Sequence, residues 1–123
     1  MHNSFYALGL VFSLGALAIP GCHKDEGSAK PVQAAPGAVI PVAADERGFT
    51  PAAVETQQGS KLTLRFTRTT DATCADKVVF PEAGIEKDLP LNQPVDVEVP
   101  TTKARTLGFQ CGMGMFKSSV LIR

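Results

Sequence analysis

Three sulfur atoms stand within five residues near the end of the chain, in Cys111-Gly112-Met113-Gly114-Met115. The chain has only three methionines, and one is the initiator, so both of the others lie in this pentapeptide. Core methionines normally sit among Leu and Val at strand or helix spacing. These two alternate with glycines, which let a backbone bend until several sulfurs converge on one point. Thiolate and thioether ligands favour soft cations, above all Cu(I). A structural zinc site takes four Cys or His ligands, and Ca²⁺ takes clustered carboxylates. From Val39 onward the chain offers neither, with two cysteines, no histidine and no cluster of carboxylates. Taken alone, the pentapeptide fits a metal site and a plain structural loop equally well.

The other two cysteines are Cys22 and Cys74, and the two histidines are His2 and His23. Both histidines precede the region that reads as folded. No Ser-His-Asp set, no catalytic His and no Gly-rich phosphate loop is found there, and no Cys-x-x-Cys occurs. An enzyme is therefore not expected. Lys+Arg and Asp+Glu each total 12, for a formal net charge of zero. No basic field is available to attract nucleic acid.

The elements that would hold these residues fall into three stretches. Phe5 to Ile19 is uncharged. It falls short of the about 20 apolar residues of a membrane-spanning helix and fits the apolar region of an export signal. Ile19-Pro20-Gly21-Cys22 looks like the acylation motif of a lipoprotein. It predicts a signal peptide over 1–21, lipid attachment at Cys22 and a place in the cell envelope or periplasm. An ordinary cleaved signal followed by a spare cysteine is the alternative. Residues 22–38 are rich in Ala, Pro, Gly and charge, without periodicity, and read as a flexible tether.

From Val39 onward short runs alternate apolar and polar residues between Gly and Pro. Leu62, Leu64 and Phe66 share one face of a strand, and Val95-Asp96-Val97-Glu98-Val99 alternates in the same way. Leu107, Phe109 and Cys111 share a face of a later strand, and Val120 and Ile122 a face of the last. Lys77 to Phe80 and the residues around Val54 add two more. Roughly seven or eight short strands with no helical stripe predict an all-β sandwich over 39–123. With Cys22 acylated, Cys74 and Cys111 remain as an even pair in an oxidising compartment, where a disulfide between them is the simplest use.

Residues 39–123 resemble the cupredoxin-like domains of bacterial envelope proteins. The resemblance is carried by Gly48-Phe49-Thr50-Pro51, by Cys74-Ala75-Asp76-Lys77-Val78-Val79-Phe80-Pro81, and by Phe109-Gln110-Cys111-Gly112-Met113-Gly114-Met115. It implies an antiparallel Greek-key β-sandwich with a copper site between the Cys74 block and the loop after Phe109. In blue-copper members a His precedes the Val-Val-Phe-like strand, and a Cys, a His and a Met lie on the loop. Here Cys74 stands close to the first His position, Cys111 matches the loop Cys, and no loop His exists. Lys117-Ser118-Ser119 stands where relatives usually have a Gly.

A blue electron-transfer centre needs two imidazoles beside the thiolate. A sulfur-only set of Cys74, Cys111, Met113 and Met115 suits Cu(I) in copper handling or transfer. The expected partners are a membrane, through the lipid, and a protein that donates or accepts copper. The alternative is a metal-free interaction module of the same fold, stapled by a Cys74–Cys111 disulfide.

Overall fold

Leu62, Leu64 and Phe66 are fully buried, and their neighbours Thr63 and Arg65 are not, as period-two alternation requires. The same rule sorts the other strands of the computed structural model, which describes residues 30–123. In chain order these are β1 (Val32–Gln33), β2 (Val39–Asp45), β3 (Gly48–Thr50), β4 (Ala53–Thr56) and β5 (Leu62–Arg68). There follow β6 (Lys77–Phe80), β7 (Ile85–Asp88), β8 (Pro94–Val99), β9 (Arg105–Cys111) and β10 (Lys117–Ile122). The only helical turn among the described residues is Pro81–Ala83. No helix among them is long and apolar enough to cross a membrane. The export signal, the acylation motif and Cys22 lie outside the described residues.

Two sheets face each other, ordered β1-β4-β10-β9-β6-β7 and β3-β2-β5-β8. The inward faces interlock around four phenylalanines. Phe109 lies 5.4 Å from Phe49, 5.6 Å from Phe66 and 5.2 Å from Phe80, centroid to centroid. With no Trp in the chain and its one Tyr at position 6, Phe is the only aromatic filler for this core. The pairs with Phe49 and Phe66 are edge-to-face and the pair with Phe80 is stacked, and such ring pairs add to the stabilisation from burial alone.

The all-β sandwich is therefore as expected, with antiparallel pairing predominant. Three pairings are parallel: β1 with β4, β4 with β10, and β2 with β5. Strand pairing also reaches back before Val39. Val32–Gln33, inside the stretch read as tether, forms an edge strand. The Ala34 N–H donates to the Glu55 carbonyl at 2.8 Å, and that of Gly37 to the Lys61 carbonyl at 2.8 Å. Ala34 also packs on the core. Backbone pairing of this kind leaves no hydrophobic period for a sequence to display.

Candidate metal centre

Cys111 is the last residue of β9 and lies directly across from Val78 of β6. Its side chain points inward with Leu107 and Phe109 and is fully buried. The chain then turns sharply. The Gly114 N–H donates to the Cys111 carbonyl at 2.9 Å, and the Cys111 N–H donates to the Phe116 carbonyl at 3.1 Å. Gly114 has φ 71°, a left-handed conformation that disfavours a side chain. Gly112 sits against Lys77, where an added Cβ would come within 2.7 Å of the lysine's aliphatic stem. The glycines thus shape the loop.

Folded this way, the loop aims its amides at the Cys111 sulfur. The Phe116 N–H donates to Sγ at 3.4 Å, and those of Met115 and Met113 add to it. Burial pushes the Cys111 thiol up. The three amides and the Cys74 thiol outweigh burial and hold it below the usual cysteine value. The loop amides therefore offset the cost that burial puts on a thiolate at this position.

Cys74 comes from the loop between β5 and β6 and is half-buried against the core. Thr73 fixes that loop. Its hydroxyl donates to the Asp45 carbonyl at 2.7 Å, at the end of β2, and accepts from the Ala75 N–H at 3.1 Å. The loop's far end is held by the Leu89 N–H, which donates to the Asp76 carbonyl at 2.7 Å. Burial raises the Cys74 thiol, and its hydrogen bond with Cys111 and the charge there raise it further. The two thiols therefore meet, with the Cys111 thiol shifted down and the Cys74 thiol shifted up. Both are free.

Met113 and Met115 contribute backbone to the site, while their side chains are 74% and 69% exposed. Both side chains therefore lie open to solvent on the loop that follows Cys111. Among the described residues no three His, Cys, Asp or Glu side chains gather into a cation site. The donors the fold brings together are the two cysteine thiols, and thiolate sulfur suits a soft ion better than calcium.

Sequence reasoning did not find Thr73, Gly48 or Phe116 as parts of this end. Thr73-Cys74-Ala75 carries a weak signal, a threonine placed to bond its own backbone two residues on. Gly48 has φ 112°, and a Cβ there would lie 3.1 Å from the Phe116 ring. That contact joins the β2–β3 turn to the sulfur loop, and neither segment announces it alone.

Comparison with known proteins fits this geometry. The family model described as "Cupredoxin-like domain" matches residues 11–122. The metal-binding domain of the Streptococcus pneumoniae D39 Cu(I)-exporting P-type ATPase CopA, solved with Cu(I), is similar with a TM-score of 0.71 and 26% identity. That match covers 79% of this chain and 99% of that one. A copper-binding protein solved in the apo form in solution has a TM-score of 0.68 and 25% identity, covering 76% of this chain and 98% of that one. Auracyanin from Roseiflexus castenholzii, at 13% identity and a TM-score of 0.53, shares the fold, over 72% of this chain and 99% of that one. Comparison with curated proteins gives no match. With the sandwich, the sulfur loop and a family match that spans nearly the whole sequence, this chain belongs to the cupredoxin-like domain family.

Proposed function

We propose that this protein binds Cu(I) through Cys74 and Cys111, with Met113 and Met115 completing the shell, and acts in copper handling or transfer at the cell envelope. The observation that carries this reading is the meeting of two free thiols beneath a loop that holds both methionines. The two most similar structures described above are of copper-binding proteins, one of them solved with Cu(I), which supports copper as the metal. The absence of His from residues 30–123 argues for the reduced ion and against a blue centre.

Each residue has a distinct task in this account. Cys111, anchored by amides, is the fixed anionic ligand. Cys74 gives up its proton when the metal arrives and closes the pair. The thioethers are neutral, so a methionine can leave the ion without creating an uncompensated charge. An incoming sulfur of a donor or acceptor protein can then take its place. No step needs a general base, and the protein acts by binding rather than by catalysis.

A lipid at Cys22 would hold the domain on the envelope membrane, and a diacylglycerol with an amide-linked chain supplies three acyl chains, more than the two that firm attachment needs. Cys22→Ser should abolish fatty-acid labelling, and wild type that carries no fatty acid refutes the anchor.

Metal binding is tested by competing the fully reduced protein against a weak Cu(I) chelator, with thiols counted before and after. The expected result is one Cu(I) per chain, lost in Cys111→Ser and lost on oxidation of the pair. Uptake of no copper by the reduced protein leaves the disulfide-stapled interaction module as the better account.

A further inference from the structure

The course of β1 fixes the direction in which the chain enters the domain. β10 starts from the loop that follows Cys111, so its first residues mark the sulfur end of the sandwich. β4 runs parallel to β10, and β1 runs parallel to β4. The start of β1 therefore also points to the sulfur end. Val32 is level with Val54 and Val120, and Val120 pairs with Leu107, four residues before Cys111. Lys30, two residues earlier, lies about 7 Å short of the Cys111 level and three strand spacings, about 14 Å, to the side. The opposite end carries the Gly37 and Gly59 turns and Arg123.

Seven residues lie between Cys22 and Lys30, which makes eight Cα–Cα steps. Such a chain reaches about 29 Å at most. To meet a membrane at the sulfur end it only has to continue on its course. To bring the opposite end to the membrane it must reverse and run back beside the sandwich, which uses about half of that reach.

The surface at the sulfur end suits the same orientation. Met113 and Met115 are the most exposed of the large apolar residues, and Leu91, 39% exposed, lies at the same end, whereas the opposite end shows Val39 at 45%. Leu91 bridges to Arg68, the last residue of β5, just before the Cys74 loop. Flexible apolar side chains of this kind tolerate an interface that changes shape.

We propose that the sulfur end of the domain, with Met113, Met115 and Leu91 outermost, faces the lipid surface to which Cys22 is attached. Copper then enters and leaves the site at the plane of the membrane, and the opposite end, with Gly37, Gly59 and the C-terminus, looks away from it. This rests on the reading that Cys22 carries the anchor.

The test uses the acylated mature chain in nanodiscs of phosphatidylethanolamine and phosphatidylglycerol, with a small fraction of gadolinium-chelating lipid. Paramagnetic relaxation is compared at two pairs of glycine amides, Gly112 and Gly114 against Gly37 and Gly59. The expected enhancement is several-fold larger at Gly112 and Gly114. If fatty acid is present and Gly37 and Gly59 relax as fast or faster, the anchor stands and this proposal is overturned. If mass analysis finds no fatty acid on Cys22, the anchor falls and the proposal falls with it.

Discussion

The backbone N–H of Phe116 donates to Cys111 Sγ at 3.4 Å, across the turn that carries both methionines. With the Met113 and Met115 amides it holds the Cys111 thiol low in spite of burial, while burial and Cys111 itself push the neighbouring Cys74 thiol up. The more deeply buried cysteine should therefore ionise first. In the reduced, metal-free protein, titration of thiolate absorbance in Cys74→Ser and Cys111→Ser should show the remaining Cys111 ionising at lower pH than the remaining Cys74. Removing either thiol also removes the coupling, which narrows the gap without reversing it. A Cys74 that ionises at the lower pH contradicts the amide arrangement. Copper must displace whatever protons the pair holds, so Cu(I) affinity should weaken as pH falls, and the thioether contribution should not change.

Gly48 and Phe116 make the next case. At φ 112° a side chain is strained, and the added Cβ would meet the Phe116 ring at 3.1 Å. Gly48→Ala should lower stability by about 1–3 kcal/mol. It should also weaken Cu(I) binding, because the displaced Phe116 carries the amide that bonds Cys111. Denaturant melts and chelator competition on the same variant check both. A stability loss with unchanged copper affinity means that the turn and the sulfur loop are independent.

Leu64 tests the core that supports the site. It is fully buried and pairs with Ile40 on one side and Val97 on the other. Leu64→Ala should destabilise by about 2–5 kcal/mol, as a large-to-small change that leaves a cavity. Equilibrium urea unfolding measures it. A loss well below 1 kcal/mol would mean that the side chain is not packed as described.

Leu64 also shows which parts of the fold were legible. β5 and β8 each have one buried and one solvated face, so their alternation is written in the residues. β7 reads Ile85-Glu86-Lys87-Asp88, an edge strand with only Ile85 packed inward, and leaves almost no pattern. β1 is two residues in an Ala- and Pro-rich stretch, held by backbone bonds to β4 that no local signal encodes. Of the site, the sulfur loop was visible because glycines and sulfurs alternate there. The meeting of Cys74 with Cys111 spans 37 positions of sequence. It was expected from the count of cysteines and from the family resemblance and not from any local pattern, because it depends on Thr73 reaching across to Asp45.

Copper X-ray absorption on the reduced protein carrying one Cu(I) tests the central claim most directly. The account predicts a first shell of sulfur alone, with no strong visible band. It also predicts fewer sulfur neighbours in Cys74→Ser and loss of retained copper in Cys111→Ser. A first shell in which nitrogen or oxygen replaces the cysteine sulfurs, or a spectrum that Cys111→Ser leaves unchanged, would contradict it.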